Sequence, residues 1–296
     1  MEIAALLRDT TQLLSRAGVP SPDVDSVALV AHLLGVTGSE VRTAAARGDA
    51  LPATADLDTF ATRVMRRSER EPLQHITGIA HFRDLDLEVG AGVFIPRPET
   101  ETVAQAAIDA ARRLGPGRDG IVRVTDLCAG SGAIGLSVAT EVPDARVSLL
   151  EASDEAAVYL RINSRRQSAE VRARVRTMMG DARRCLHLFD QCADVVVSNP
   201  PYIPPGSVPR DPEVADYDPP QALYGLGEDG LDLPRAIVNE AARLLRVGGV
   251  LVMEHADSQG TALREFVASS QWWDEVATHQ DLNGRDRFLV ATRVGV

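Results

Sequence analysis

The first 71 residues place apolar side chains at the spacing of amphipathic helices. In the opening segment these apolar positions are Ile3, Leu6, Leu7, Leu13 and Leu14. Ser21 followed by Pro22 is a typical helix start, and Gly35 and Gly48 are typical helix ends. A further helical pattern follows Gly48. The sequence therefore predicts four short helices that pack as a compact bundle.

After residue 71 the pattern changes from helical spacing to alternation. The segment HITGIAHFRDLDLEVG alternates apolar and polar residues on both sides of Arg83 and Asp84, which is typical of a β-hairpin. We take residues 72–95 as a hairpin linker. It joins the helical domain of residues 1–71 to a second domain of residues 96–296.

From Ile121 onward, strand patterns alternate with helix patterns. The strand patterns are IVRVTDL, ARVSLLEAS, RVRTMMGD, ADVVVSNPPY and GVLVMEHA, followed by two closing strands. Strands that alternate with helices form a mostly parallel sheet that is covered on both faces. The sequence therefore predicts an α/β domain, in which ligands bind outside the carboxyl ends of the strands.

The composition narrows the class of protein. The chain has 296 residues, of which 45% are hydrophobic, so it can bury a substantial core. Its formal charge is −11, whereas phosphate binding needs a basic stripe, so we do not expect it to bind nucleic acid directly. No apolar run reaches the roughly 18 residues of a membrane span. The N-terminus lacks the features of a signal peptide, so we expect a cytoplasmic protein.

The residues that most often bind metals form no recognisable pattern. Cys128, Cys185 and Cys192 show no CxxC spacing, and the six histidines form no HExxH or similar pair. We therefore expect neither a disulfide framework nor a metal site.

A glycine-rich segment, DLCAGSGAIG, lies between the first α/β strand and its helix. Gly130, Gly132 and Gly135 match GxGxxG, which lets the backbone turn tightly and approach a ligand. The motif alone does not decide the ligand. A dinucleotide site, a nucleoside site and a simple tight turn would each explain it.

Acidic residues follow the next two strands. Glu151 lies 19 residues after Gly132, where a carboxylate can accept both hydroxyls of a ribose. The alternative is an acid that only starts the following helix. Asp181 follows the third strand, where contacts with an adenine ring would fall, although a turn residue after Gly180 explains it equally well.

The segment VVVSNPPY ends the fourth strand with an amide, two prolines and an aromatic ring. The prolines fix φ and remove two backbone donors, which leaves the Asn199 side-chain oxygen and the Pro200 carbonyl as acceptors. Such a pair can hold both hydrogens of a planar NH₂ group and direct its nitrogen lone pair at an electrophile. Tyr202 can lie against that group or against a cationic methyl donor. The alternative is a proline-rich turn.

These motifs together resemble known enzymes. The glycine loop with Glu151 and Asp181 resembles class I S-adenosylmethionine-dependent methyltransferases, and NPPY resembles those that methylate an exocyclic or amide nitrogen. Residues 71–101, EPLQHITGIAHFRDLDLEVGAGVFIPRPETE, resemble the HemK/PrmC family, which methylates the glutamine of the Gly-Gly-Gln motif in peptide-chain release factors. The resemblance implies a Rossmann-like sheet, mostly parallel with an antiparallel last strand, and a small helical N-terminal domain.

The resemblance also implies site residues. The positions that match the family's donor-binding residues are Cys128, Ala129, Gly130, Ser131, Gly132, Glu151, Asp181, Ala182 and Asn199. The substrate amide is expected to bind at Asn199, Pro200, Pro201 and Tyr202, with Asn199, Pro200 and Tyr202 as catalytic residues. Three positions depart from the family pattern: Cys128 replaces a common glycine, Glu151 the commoner aspartate, and Ala182 a large aromatic residue.

The expected activity is methyl transfer from S-adenosylmethionine to the glutamine amide nitrogen of class 1 release factors, with S-adenosylhomocysteine as product. We expect a monomer whose N-terminal bundle docks the substrate protein. The loop of residues 211–230 either helps to cover the substrate peptide or is an ordinary solvated loop.

Three other activities fit parts of the sequence. A nucleic-acid N-methyltransferase acting on adenine N6 or guanine N2 would use the same NPPY residues, but it needs a basic surface or a base-recognition domain. An NAD-dependent oxidoreductase would leave Asn199 to Tyr202 without a role. A binding module on a degenerate methyltransferase fold is supported only by Cys128 and Ala182.

Overall fold

The computed structural model describes residues 1–184 and 190–295, and Cys185 lies outside the described residues. Contacts divide the chain into two units. The first comprises Met1–Ile79 with Pro209–Tyr217, and the second Ala80–Val208 with Asp218–Val296. These bounds differ from the sequence-based ones, because the hairpin belongs to the second unit and a later segment belongs to the first.

The first unit is a helical bundle. Its helices are α1 (Ile3–Arg16), α2 (Pro22–Leu34), α3 (Gly38–Arg47), α4 (Leu57–Ser68) and the short α5 (Leu73–Thr77). Their apolar faces share one buried cluster that includes Leu14, Leu29 and Phe60. Pro22 occupies the first turn of α2 as predicted, but the Ser21 side chain accepts no capping hydrogen bond. The sequence pattern missed α5, where alternation was assumed to begin.

A later segment of the chain also belongs to this first unit. Within it, α10 (Pro212–Ala215) carries Glu213, whose carboxylate accepts hydrogen bonds from Arg67 at 3.0 Å and from Arg70 at 2.6 and 2.7 Å. Arg67 is buried and also donates to Asp25 at 2.7 Å. Ion pairs therefore hold residues 209–217 on the helical bundle, which no local sequence pattern indicated.

The predicted hairpin is present but shorter. Its strands are β1 (Ile79–Phe82) and β2 (Leu85–Glu88), and Arg83 in the turn has a positive φ of 50°. The alternate residues Phe82, Leu85 and Leu87 are buried in the same cluster as the α/β core. This burial explains why the hairpin belongs to the second unit.

The second unit alternates strands and helices along the chain. Its elements after the hairpin are α6 (Thr100–Leu114), β3 (Val122–Leu127), α7 (Ala133–Glu141), β4 (Ala145–Glu151), α8 (Asp154–Arg166), α9 (Ala169–Arg172), β5 (Val175–Met179), β6 (Ala193–Ser198), α11 (Pro220–Leu223), α12 (Asp232–Leu244), β7 (Leu245–Glu254), α13 (Gly260–Ala268), β8 (Trp273–Gln280) and β9 (Asp286–Arg293).

Within the described residues these strands form a seven-stranded sheet in the order β5-β4-β3-β6-β7-β9-β8. β3 to β7 pair in parallel, and β9 runs antiparallel to both β7 and β8. This confirms the predicted α/β fold with an antiparallel last strand. β6 lies beside β3, so the glycine loop and the NPPY segment leave the sheet at the same edge.

The valine run that ends at Ser198 fits a strand covered on both faces. Val195 and Val197 pack into the cluster with α6 and α7, whereas Val196 packs into the cluster with α12 and α13. Because side chains alternate along a strand, three consecutive valines bury themselves in two different cores.

Within the described residues, no single helix combines the length and apolar character needed to cross a bilayer. The bent pair formed by α2 and α3, which meet at 93°, passes the same test by length and composition only.

Candidate active site

The loop after β3 turns tightly because several of its residues adopt positive φ angles. Cys128, Gly130 and Gly132 have φ values of 67°, 56° and 91°. The Gly132 N–H donates to the Ala129 carbonyl at 2.7 Å, and the Ala129 N–H donates to the Leu150 carbonyl at 2.9 Å. The first two glycines therefore provide the turn that the motif predicts, and Cys128 tolerates the left-handed region in which glycine is common.

Gly135, the third glycine of the motif, is needed for helix packing rather than for the turn. A Cβ on Gly135 would lie 2.1 Å from Leu149 Cδ2, so only glycine lets α7 pack this closely on the sheet. Its N–H also donates to the Asp126 carboxylate at 2.9 Å. Asp126 is buried, and burial raises its pKa to about 8. Sequence reasoning missed Asp126, whose carboxylate accepts a hydrogen bond from the backbone of α7, the helix that follows the loop.

Glu151 holds the glycine loop against the end of β4. Its Oε2 accepts from the Gly130 N–H at 2.7 Å, and its Oε1 accepts from the Ala152 and Ser153 N–H groups, both at 2.8 Å. The N-cap of α8 is Ser153, which accepts from Ala156, so Glu151 is not the helix cap. A carboxylate fixed by three backbone donors still has lone pairs to offer a ligand.

Asp181 and Ala182 follow β5. The Asp181 carboxylate accepts from the Arg183 N–H at 2.9 Å and pairs with its guanidinium at 2.6 Å, which lowers the pKa of Asp181. Ala182 is buried beside Leu127 and Leu150. The hydrogen bonds of Asp181 are those of a turn residue, and it nevertheless lines the cavity described next.

A cavity of about 470 Å³ lies at this edge of the sheet. Of the predicted site residues, it is lined by Cys128, Gly130, Glu151, Asp181, Ala182, Asn199 and Pro201. Ala129, Ser131, Gly132, Pro200 and Tyr202 do not line it, and of these Ala129 and Ser131 are nearly inaccessible. The structure therefore brings most predicted donor-binding residues together around one space.

The cavity has the features that a nucleoside requires. Its volume lies in the range of roughly 300–1,000 Å³ typical of small-molecule sites. Gly130 lies on its wall, and a Cβ there would meet no atom within 4 Å, so the backbone leaves open space for a ligand. Burial raises the pKa of the Cys128 thiol, so that group is neutral at physiological pH. In the described part of the chain, no cluster of metal-binding side chains was found.

Asn199 lies between the cavity and the start of α6. Its Nδ2 donates to the Thr100 hydroxyl at 3.4 Å, and Thr100 is 3% exposed. The preceding Ser198 hydroxyl donates to the Leu127 carbonyl at 2.6 Å, which ties the end of β6 to β3. Sequence reasoning missed Thr100, although its segment, RPETE, belonged to the motif that carried the resemblance.

The Tyr202 side chain ends at a buried acid. Its hydroxyl donates to Glu254 Oε1 at 3.2 Å, and its carbonyl accepts from the Gln259 side chain at 2.7 Å. Burial raises the pKa of the phenol. Burial also raises the pKa of Glu254 to about 7. These contacts fix the two polar ends of Tyr202, and packing of its ring against a substrate amide stays a prediction.

Part of the loop of residues 211–230 also lines the cavity. The lining residues of this segment are Pro219, Pro220, Gln221, Ala222, Tyr224 and Leu226. Ile203 forms a parallel bridge with Tyr224, and the Ile203 N–H donates to the Leu223 carbonyl at 2.8 Å. This segment is therefore an ordered extension of the NPPY backbone, and sequence reasoning assigned it no such contact.

Phe94 is a further cavity residue that sequence reasoning missed. The Arg97 guanidinium lies 5.0 Å from the centre of its ring and also pairs with the buried carboxylate of Asp218. This pairing anchors the chain directly before the lining segment that begins at Pro219. The available signal was a lone aromatic in GVFIPRPE, within the segment that resembled the family.

The fold and this site define a class I S-adenosylmethionine-dependent methyltransferase, with S-adenosylmethionine as its methyl donor. Family models agree: residues 5–78 match the PrmC N-terminal domain and residues 118–209 match the methyltransferase small domain.

Relatives extend the match to the whole chain. The release factor glutamine methyltransferase of Streptomyces coelicolor is 45% identical over 98% of both chains, and that of Bifidobacterium longum is 43% identical over 98% of this chain and 99% of its own. The enzyme of the same name from Deinococcus radiodurans is 35% identical over both full lengths. The chain belongs to the release factor glutamine methyltransferase family, also called HemK/PrmC.

A solved structure is similar to the chain at a lower level. The Thermus thermophilus 16S rRNA N2 G1207 methyltransferase, solved with AdoMet and guanosine, matches 73% of this chain and 49% of its own, with 23% identity and a TM-score of 0.48.

Proposed function

We propose that this chain methylates the side-chain amide nitrogen, N5, of the glutamine in the Gly-Gly-Gln motif of class 1 peptide-chain release factors. The observation that carries the proposal is the full-length similarity to relatives named for this activity. The position of Asn199 on the cavity wall is compatible with it, because an amide oxygen there can accept a hydrogen bond from a substrate amide.

Methyl transfer to a glutamine requires the protein mainly to position the side-chain amide. An amide nitrogen is a weak nucleophile because its lone pair is conjugated with the carbonyl group. We infer that Asn199 and the Pro200 carbonyl accept the two N–H groups of the glutamine and hold the nitrogen in the geometry for attack, where positioning supplies much of the rate.

When bound, S-adenosylmethionine supplies an electrophilic methyl group on a positively charged sulfur. The glutamine nitrogen forms a bond to the methyl carbon as the carbon–sulfur bond breaks, and one N–H proton then passes to solvent. The products are N5-methylglutamine and S-adenosylhomocysteine.

Donor binding is assigned to the glycine-loop end of the cavity. Glu151 is already oriented by Gly130, Ala152 and Ser153, so its remaining lone pairs can accept the ribose hydroxyls at little entropic cost. Asp181 and Ala182 lie where the adenine is expected, and Ala182 offers a small apolar surface.

The helical first unit is proposed to dock another part of the release factor. We further infer that the protein acts as a monomer in the cytoplasm, without direct contact with nucleic acid. Methylation of a nucleic-acid base is not favoured, because the formal charge is −11 and the relatives are named for a protein substrate.

A transfer assay with methyl-labelled S-adenosylmethionine tests the proposal. The enzyme is offered a release factor, the same factor with Gln→Ala in its Gly-Gly-Gln motif, bulk RNA and bulk DNA, and Asn199→Ala is run in parallel. We expect label only on the intact factor and a loss of at least about 100-fold in kcat for Asn199→Ala.

The outcomes separate the alternatives. Label on RNA or DNA alone would support the nucleic-acid activity and overturn the proposal. Measurable donor binding with no label on any acceptor would instead favour a binding module. If Asn199→Ala keeps full activity on the release factor, the substrate assignment stands, but the proposed role of Asn199 is contradicted.

A further inference from the structure

A buried threonine is the hydrogen-bond acceptor for the Asn199 side-chain amide. Thr100 begins α6, is 3% exposed, and its Oγ1 accepts from Asn199 Nδ2 at 3.4 Å. An asparagine amide has one accepting end and one donating end. With the donating end bound to Thr100, Oδ1 is left to accept from a substrate. A flipped amide would present two donors to a glutamine N–H and could not bind it.

A buried acid at the end of β7 lies beside the same threonine. Glu254 is 1% exposed, and its carboxylate accepts from the Tyr202 hydroxyl at 3.2 Å. Burial raises the pKa of Glu254, whereas Thr100, Arg287 and Tyr202 oppose that shift. A threonine hydroxyl has one proton and two acceptor lone pairs. The Thr100 oxygen can therefore accept from Asn199 Nδ2 while its own proton points elsewhere.

We propose that Thr100 is a positioning residue for methyl transfer, which holds the Asn199 amide with its oxygen toward the substrate. This inference rests on the proposed function and adds to it a residue outside the NPPY motif. The Glu254 carboxylate separately accepts a hydrogen bond from the Tyr202 hydroxyl.

The test is steady-state kinetics on Thr100→Val, Thr100→Ser and a matched control, Thr102→Val, with a release factor as acceptor. Valine keeps the shape of threonine and removes the hydroxyl, so either end of the Asn199 amide can then face the substrate. We expect kcat to fall about 10- to 100-fold, while KM for the donor stays within about twofold. Thr100→Ser keeps the hydroxyl and should restore kcat to within about threefold.

Thr102 is the matched control because it lies in the same first helical turn. Its hydroxyl donates to the Glu99 carbonyl at 2.7 Å and makes no contact with Asn199. Thr102→Val should therefore keep kcat within about twofold of the wild type. Melting temperatures of all variants show whether a loss of activity follows from unfolding.

Three results would overturn the inference. The first is wild-type kcat in Thr100→Val. The second is an equal loss in Thr100→Val and Thr100→Ser together with a lower melting temperature, which would make the role structural. The third is a raised donor KM at unchanged kcat, which would assign Thr100 to donor binding. A wild-type enzyme that leaves the release factor unlabelled would instead contradict the proposed function.

Discussion

Gly230 approaches Tyr202 so closely that a Cβ at position 230 would lie 2.3 Å from the Tyr202 carbonyl oxygen. Gly225 is similarly confined, since a Cβ there would lie 1.9 Å from the Gly230 carbonyl oxygen and 2.6 Å from that of Pro201. Gly225 and Gly230 therefore pack directly against the backbone of the NPPY motif. This contact explains why the loop after the NPPY motif contains glycine at both positions.

Gly230→Ala should move the backbone of Tyr202 and destabilise the protein. The side chain would meet backbone atoms that cannot rotate away, and φ is +74°, so we expect a loss of about 2–4 kcal/mol in the free energy of unfolding. Gly206→Ala is the control, because φ is +88° there but the space is open, and about 1 kcal/mol is expected. Denaturant unfolding measures both. An equal loss of unfolding free energy in the two variants would contradict the close packing of Gly230 against the Tyr202 backbone.

Glu151→Gln should weaken donor binding. In the wild type, the backbone N–H groups of Gly130, Ala152 and Ser153 donate to the carboxylate. Glutamine replaces one of the carboxylate oxygens with an NH₂ group, which cannot accept, so the loop loses charge-assisted hydrogen bonds. We expect Kd for S-adenosylmethionine to rise about 10- to 100-fold, as measured by calorimetry. Asp154→Asn, an exposed acid three residues away, is the control and should bind normally. Unchanged affinity in Glu151→Gln would exclude the proposed ribose contact.

Asp126→Asn should flatten the dependence of stability on pH. The folded-state pKa of Asp126 is raised from 3.8 to about 8, so the protonated form favours folding. Its contribution is complete below pH 3.8 and is lost as pH rises to about 8, with a slope approaching about 1.4 kcal/mol per pH unit. Urea unfolding between pH 5 and 9 measures this. Identical slopes for the variant and the wild type would contradict the assignment.

Glu254 adds to the same trend, because its pKa is raised to about 7 and it too favours folding when protonated. Burial causes this shift, which Glu99 reinforces and which Thr100, Arg287 and Tyr202 oppose. The comparison above therefore measures the difference in slope between Asp126→Asn and the wild type rather than the slope alone.

Glu213→Gln should release residues 209–217 from the helical unit. The carboxylate pairs with Arg67 and Arg70, and its loss leaves the buried Arg67 with Asp25 as its remaining acidic partner. Since the pairs with Arg70 are partly exposed, we expect a loss of about 1–3 kcal/mol and faster hydrogen exchange across the segment. The exposed Glu228→Gln is the control. Unchanged exchange at residues 209–217 would show that other contacts hold the segment.

Periodicity was enough to predict the fold, because it reflects burial directly. The alternation of strands and helices after Ile121 predicted the parallel sheet, which the structure confirms. The sequence also shows Glu151 at the end of a strand pattern and 19 residues after Gly132, whereas its contact with a ribose stays a prediction. The short helix α5 was missed because five residues are too few to establish a period.

The contacts of the buried polar network could not be predicted in the same way. Thr100 and Glu254 belong to segments that lie about 50 to 100 residues from the NPPY motif in sequence, and a single hydroxyl or carboxylate carries no periodic signal. For the same reason, the sequence indicated neither the attachment of Glu213 to Arg67 and Arg70 nor the turn of the Tyr202 hydroxyl toward Glu254.

The amino-acid sequence by itself determined the longer helices and the strands, their order and the edge of the sheet where the glycine loop and NPPY meet. These features follow from local spacing and from the geometry of parallel strands. Only the tertiary structure decided which side chains face the cavity and which lie behind it. That choice depends on where distant donors and acceptors become buried together, since each buried polar group needs a partner and the fold alone brings those partners within reach.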